Sequence, residues 1–303
     1  MYYSIYYMIT PRCILNCGYC FRDTTPESIA SELKVEQMKE LVAHLYEKFH
    51  VRKLTISGGE PTVLGGVKNT CFLEFIDYLR QYKSERKEDN LRIELLSNAV
   101  NLTPDITEQM VGVVDRITIT LDSLDENVLS RIGRNTGAYQ EYVSRFQKRF
   151  ADFTLKGFEL KLHTVITPVN YESLVPLAKY IAECREFNVS KWKVYQYMTY
   201  GQPEKDLIYA IEDEKYFAMA ERIRSILKDT NIKLSFKDNT LMTDTMFNLL
   251  HNGRLEYFTM EQGVRVRHLS DVLTKYNGWD DLAKKCTIDR AMIQKYHSVG
   301  DSV

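Results

Sequence analysis

Short runs rich in β-branched and aromatic residues alternate with amphipathic helical stretches over most of this 303-residue chain, and that alternation restricts its fold more than any other feature. Strand-like runs fall near 3–9, 53–57, 91–97, 116–121, 158–166 and 191–198, and helical periodicity fills 35–49, 70–83, 104–113, 138–151, 171–187 and 212–228. In the first helical stretch Val35, Met38, Val42 and Leu45 share one face. Strands separated by helices run parallel, because a helical crossover returns the chain to the end it left. Six such units are too few for a closed eight-fold barrel, so the pattern predicts an α/β fold that is either a partial barrel or a doubly wound sheet. Beyond about residue 230 the alternation fades into an expected α+β extension, with strands near 232–236 and 255–268, a helix near 240–250 and a mobile tail.

Charge narrows the function. Lys and Arg total 40 against 41 Asp and Glu, a net −1 that lacks the broad basic footprint of a non-specific DNA or RNA binder. No apolar run reaches the roughly 18 residues of a membrane span, and the first ten residues lack a basic, cleavable leader, so a cytoplasmic location is expected. The charge run from Lys83 to Asn90 reads as a solvated loop. Of six cysteines, Cys71, Cys184 and Cys286 are scattered, the first two within helical patterns where burial as small apolar groups is expected.

The other three form Cys13-Ile-Leu-Asn-Cys17-Gly-Tyr-Cys20, directly after the first strand. Clustered thiols in a reducing compartment are metal ligands, selecting zinc or iron–sulfur clusters. A structural site needs four ligands, so three leave one coordination position open for chemistry; the alternative is a zinc site completed by His44, His50 or Cys71. After the second strand comes Ser57-Gly58-Gly59-Glu60-Pro61, where two glycines permit close backbone approach and Glu60 supplies an anion for an ammonium.

The cysteine spacing resembles the signature of the radical S-adenosylmethionine (SAM) superfamily, and Gly58-Gly59-Glu60-Pro61 is similar to its GGEP motif. The resemblance implies a partial (β/α)6 barrel over 1–230, closed by the extension over 231–303. It implies a [4Fe-4S] cluster on Cys13, Cys17 and Cys20 whose free iron chelates S-adenosyl-L-methionine, with Gly58, Gly59 and Glu60 holding the methionine ammonium. By the same resemblance Ser97 and Asn98 meet the ribose, Ser123 and Arg134 meet ribose or methionine carboxylate, and Tyr19 packs near the adenine.

Two later strands add a basic surface. Period-two alternation sets Lys161 and His163 on one face, opposite Phe158, Leu160 and Leu162, and Lys191, Lys193, Tyr195 and Tyr197 on one face, opposite Trp192 and Val194. Unpaired, a buried ammonium costs several kcal/mol, so lysines converging inside a barrel imply a polyanionic ligand such as a nucleoside triphosphate; otherwise they snorkel to solvent or pair with Glu159 and Glu183.

These stretches resemble the viperin family, which converts a nucleoside triphosphate to its 3′-deoxy-3′,4′-didehydro form. The likeness rests on Asp122-Ser-Leu-Asp-Glu, Ile132-Gly-Arg134, Lys161, Lys191-Trp-Lys193-Val-Tyr-Gln and Asn239-x-x-Met242. It implies triphosphate contacts from Lys161, Lys191 and Lys193, an external flavodoxin- or ferredoxin-type electron donor, and abstraction of the ribose C4′ hydrogen by a 5′-deoxyadenosyl radical. Met246 stands where that family carries a Tyr, so either Tyr195 or Tyr257 substitutes in finishing the reaction or the substrate is not a nucleotide. Two alternatives stay open. A GTP cyclase of molybdenum-cofactor synthesis needs a second cluster, for which only Cys286 lies beyond Cys184; a single-cluster enzyme acting on a peptide, sugar or small metabolite does not.

Overall fold

The computed structural model describes residues 3–66, 68–134, 141–184, 189–199, 202–242, 247–261, 264–286, 288 and 291–294. Strands β1 (Tyr3–Met8), β2 (Val51–Ser57), β3 (Arg92–Ser97), β4 (Arg116–Thr120), β5 (Glu159–Ile166) and β6 (Val189–Gln196) alternate with helices α1 (Pro26–Ala30), α2 (Val35–Lys48), α3 (Thr70–Glu85), α4 (Pro104–Met110), α5 (Glu126–Ile132), α6 (Tyr142–Leu155), α7 (Leu174–Glu183), α8 (Pro203–Tyr209) and α9 (Asp213–Leu227). Then follow β7 (Lys233–Lys237), α10 (Asn239–Met242), β8 (Phe247–Leu249), β9 (Arg254–Glu261), β10 (Val264–Val272) and α11 (Trp279–Lys285). Among the described residues the strands join one ten-stranded sheet in the order β10-β9-β8-β1-β2-β3-β4-β5-β6-β7. Each pair from β8 through β1 to β7 is parallel, and β9 and β10 run antiparallel. The edges β10 and β7 are not paired with each other, so the barrel is a partial one.

The register sorts side chains onto two unlike faces. Outward point Ile5, Tyr7, Leu54, Ile56, Ile93, Leu95, Ile117, Ile119, Leu160, Leu162, Trp192 and Val194, all buried against the helices. The helices meet them with apolar stripes: Met38, Leu41, Val42 and Leu45 from α2, and Tyr142, Phe146, Phe150 and Phe153 from α6. Their starts follow local chemistry, as in α4, where the Thr103 hydroxyl accepts the Ile106 amide and Pro104 opens the first turn.

Three expectations are corrected. The run near 240–250 is not one helix: α10 is short, and β8 pairs in parallel with β1. Residues 255–268 hold two strands, because β9 turns back on β10. Cys71 and Cys184 are half-buried, and Cys184 stands just past the end of α7. The strand expected near 232–236 is present and extends the parallel run beside β6. Met246 and the tail expected to be mobile lie outside the described residues.

Trp192 anchors the outer core, fully buried, with its indole N–H donating to the Thr164 hydroxyl at 2.9 Å. Trp192→Ala removes that packing and is expected to cost about 3–5 kcal/mol in urea unfolding. A loss under about 1 kcal/mol would contradict this core placement.

Candidate functional site

The cysteine loop leaves β1 and is pinned from three sides. On the β2 side, Gly59 N donates to Thr10 O and Glu60 N to Arg12 O, both at 2.8 Å. A Cβ on Gly58, whose φ is +151°, would stand 2.4 Å from Thr10 O, and one on Gly59 would stand 2.3 Å from Arg12 O. The two glycines are therefore required by contact between two backbones, β2's end and the cysteine loop. On the α5 side, Gly18 N donates to Ile132 O at 2.8 Å. From α8, Lys205 Nζ donates to Cys20 O at 2.7 Å, and the Tyr209 ring stands edge-on to Tyr19.

Cys20 stands close enough to oppose the ionisation of Cys13 and of Cys17, and Cys13 that of Cys17. Burial pushes the Cys17 thiol up to about 11 against the pull of Arg134, and burial raises Cys13 against Arg22. Among the described residues no three His, Cys, Asp or Glu side chains are placed to share a single metal ion. His44, one of the candidate zinc ligands, hydrogen-bonds the Tyr276 carbonyl instead. Three mutually close thiols flanked by two guanidinium groups fit a multi-iron cluster, where each thiolate takes a different iron and the cations offset thiolate charge.

Glu60 is fully buried. Its carboxylate accepts the Ser97 hydroxyl (2.9 and 3.0 Å), the Asn98 amide (2.8 Å) and the Thr62 hydroxyl (2.9 Å). Asn98 Nδ2 reaches toward Cys13 Sγ at 3.7 Å. Burial raises the Glu60 carboxyl while these donors pull it back. Ser97 is thus engaged with Glu60, and the Ser123 hydroxyl accepts the Asp125 amide at the start of α5.

A second buried knot joins the loop to β4. Tyr19 donates to Asp122 Oδ2 at 2.5 Å, Arg134 Nε donates to the same oxygen at 2.6 Å, and Arg134 Nη2 donates to the Tyr19 hydroxyl at 2.6 Å. Asp122 Oδ1 accepts the Val165 amide at 3.0 Å. The Tyr19 ring is held edge-on to Tyr209 by this knot.

The sheet's inner face is charged and lies in register layers. The layer nearest the strand starts sets Glu94 beside Arg116 and Arg116 beside Glu159. Arg116 bridges Glu94 (2.8 Å) and Glu159 (2.5 Å), Lys53 reaches Glu94 at 3.4 Å, and Arg92 pairs with both carboxylates. Burial opposes charge on both carboxylates, yet hydrogen bonds from Arg116 and Ser190 hold Glu159 down at about 2. The next layer pairs Thr118, Lys161 and Lys191; the one above pairs Thr120, His163 and Lys193; then come Val165, Tyr195 and Lys237.

The expected convergence of lysines is present. Lys161, Lys191 and Lys193 are buried rather than snorkelled, and among the described residues neither Lys161 nor Lys193 has a carboxylate within 4 Å. Burial, then Lys193, pushes Lys161 well below the ordinary lysine range. Burial, then Lys191 and Lys237, brings Lys193 down to about 7. His163 is held neutral by burial and by Lys161, Lys193 and Lys191. Sequence reasoning missed Lys53, Lys237, Arg92, Arg116 and Glu94, although the same alternation carries them. It passed over Lys205 and Tyr209 too, for which no motif gave a signal. Tyr257 does not reach this face: it pairs with Phe247 and stacks on His268 on the outer side.

Lys193 makes a pH prediction. Both folded and unfolded chains carry its charge below about 7; from there towards the ordinary 10.5 the unfolded chain binds the extra proton, so stability rises with pH. The urea midpoint should gain more between pH 7 and 10 in the wild type than in Lys193→Met, and equal gains would refute the assignment.

A family model described as the Radical SAM superfamily matches residues 7–181. The "S-adenosylmethionine-dependent nucleotide dehydratase" of Flammeovirga pacifica is 25% identical over 268 residues, covering 86% of this chain and 83% of that protein. A "Probable GTP 3',8-cyclase" of Methanococcus aeolicus is 25% identical over 305 residues, covering 95% and 94%. Among solved structures, Streptococcus suis SuiB bound to S-adenosylmethionine has a TM-score of 0.65 at 15% identity, over 98% of this chain and 68% of SuiB. The chain spans only 59% of SuiB in its complex with the precursor peptide SuiA. These structures share the fold.

Proposed function

The chain belongs to the radical SAM superfamily, and from that premise we propose that it converts a nucleoside triphosphate to a 3′-deoxy-3′,4′-didehydro nucleotide. The observation that carries the reading is the pair of buried lysine side chains, Lys161 and Lys193, that lack a carboxylate partner among the described residues of the inner face. A desolvated ammonium pair is costly until an anion arrives, and a triphosphate brings several charges on one flexible chain. The name of the Flammeovirga relative, a nucleotide dehydratase, supports the same substrate class.

In this proposal Cys13, Cys17 and Cys20 hold a [4Fe-4S] cluster that, with bound S-adenosylmethionine and an electron from an external flavodoxin- or ferredoxin-type donor, supplies a 5′-deoxyadenosyl radical. Glu60 and Asn98 stand beside the cysteines to receive the methionine ammonium, and Arg134, oriented by Asp122, offers its remaining N–H groups to the methionine carboxylate. Lys161, Lys191 and Lys193 hold the phosphates, so that the ribose is directed toward the cysteine end of the sheet. The salt-bridged layer of Glu94, Glu159, Arg92 and Arg116 lines the opposite end of the inner face.

The Methanococcus likeness favours a second reading, cyclisation of GTP. The two separate in one anaerobic experiment: the reconstituted protein, dithionite and S-adenosylmethionine are combined with CTP, UTP, GTP or no nucleotide. A burst of 5′-deoxyadenosine with one triphosphate and a dehydrated product supports the proposal. Equal background in all four rejects it, and a cyclised GTP product selects the second reading.

Binding gives an independent check. A triphosphate at 100 times its Kd should stabilise the wild type by about 2.7 kcal/mol in thermal or urea unfolding. Lys161→Met and Lys193→Met should lose that gain and keep the wild-type iron content. Cys17→Ser should do the reverse, losing bound iron and sulfide and keeping the triphosphate effect; lysine variants that still bind triphosphate would reject the phosphate site.

A further inference from the structure

We propose that His163 and Tyr195 form a proton-donating pair that acts on the substrate's leaving hydroxyl. The inference rests on the nucleotide reading above and adds a catalytic role to it. His163 stands on the inner face of β5, one inward-facing residue after Lys161 and one before Val165, whose amide holds Asp122 in the knot with Tyr19 and Arg134. At about 3.3 Å of rise per residue, it lies roughly 6.6 Å above the Lys161 layer and the same distance below the cofactor-side layer. In a nucleotide only C5′ and O5′ separate the first phosphorus from the C4′ carbon. With the outer phosphates on Lys161 and Lys191, the innermost beside Lys193 and the ribose directed to the cysteines, the C3′ hydroxyl comes within reach of His163.

The pair itself is built. His163 is buried beside Thr120 and Lys193, and the Tyr195 hydroxyl stands 3.5 Å from its Nε2, with the rings edge-on at 5.1 Å. The charged and titratable groups facing His163 are Lys161 on its own strand and Lys191, Lys193 and Tyr195 on β6; β4 presents the uncharged Thr120. Burial first, and then Lys161, Lys193 and Lys191, keep the imidazole neutral in the empty site. Phosphate charge beside those lysines offsets their share of that opposition, so substrate binding raises the proton affinity of His163.

The step balances as follows. After the C4′ hydrogen atom has left, the unpaired electron is on C4′. The C3′–O3′ bond breaks with its electron pair going to oxygen, a proton passes from the protonated pair to that oxygen, and water departs. The remaining ribose radical cation takes one electron from the external one-electron donor, which completes the C3′=C4′ double bond. His163 regains its proton from solvent.

Two measurements test this. First, the His163 ring resonance of the full chain, identified by its loss in His163→Gln, is titrated with and without CTP in the absence of S-adenosylmethionine. Its pKa is expected to rise by at least one unit, a tenfold change in proton affinity, on binding; an imidazole that stays neutral down to pH 5 in the complex overturns the proposal. Second, the reconstituted enzyme is given triphosphate deuterated at C4′. In His163→Gln and Tyr195→Phe, deuterium should still reach 5′-deoxyadenosine, while dehydrated product per 5′-deoxyadenosine falls by about 10²-fold in His163→Gln and less in Tyr195→Phe. An unchanged ratio in both variants overturns the role of the pair. Wild type that transfers no deuterium from any triphosphate overturns the nucleotide reading beneath it, a failure distinct from the first two.

Discussion

Lys161 and Lys193 stand one register layer apart on adjacent parallel strands, buried, with no carboxylate in reach among the described residues. Taking an ammonium out of water costs several kcal/mol after relaxation, and a parallel sheet covered by helices offers no water on its outer face. Burial and the neighbouring cations accordingly hold both lysines below the ordinary range. The salt-bridged layer below holds Glu94 and Glu159. Neither carboxylate is spare: both are engaged by Arg92 and Arg116.

The opposite end of the sheet is organised by backbone contact. Gly58 and Gly59 bring the end of β2 against Thr10 and Arg12 so closely that no side chain fits between. This fixes where the cysteine loop leaves β1. The Tyr19, Asp122 and Arg134 knot fixes where the loop returns. Cofactor chemistry demands that reacting atoms be held within a fraction of an ångström, and a loop tied to β2, β4, α5 and α8 meets that demand better than one tied to β1 alone.

The two ends are joined through β5. Its inner face runs from Glu159 in the salt-bridged layer, through Lys161 and His163, to Val165, whose amide holds Asp122. A substrate placed along this strand would have its outer phosphates at the Lys161 level and its ribose towards the His163 and Val165 levels. In the binding mode proposed above, position along one strand would set the order in which charge, proton transfer and radical chemistry meet the substrate.

Much of this was legible in the residues. The spacing of Cys13, Cys17 and Cys20, the Gly58-Gly59-Glu60 turn and the period-two placement of Lys161, His163, Lys191, Lys193 and Tyr195 are local properties of the chain, and local periodicity decides which side of a strand a residue faces. The helix expected near 240–250 failed because its apolar residues suit a strand as well, and pairing with β1 decides the matter. What the chain alone could not state is which strands become neighbours. The register sets Glu94 beside Arg116 and Arg116 beside Glu159, sets Lys161 beside Lys191, and sends Tyr257 to the outer side; these are distances between residues far apart in sequence, fixed only when the sheet closes its hydrogen bonds.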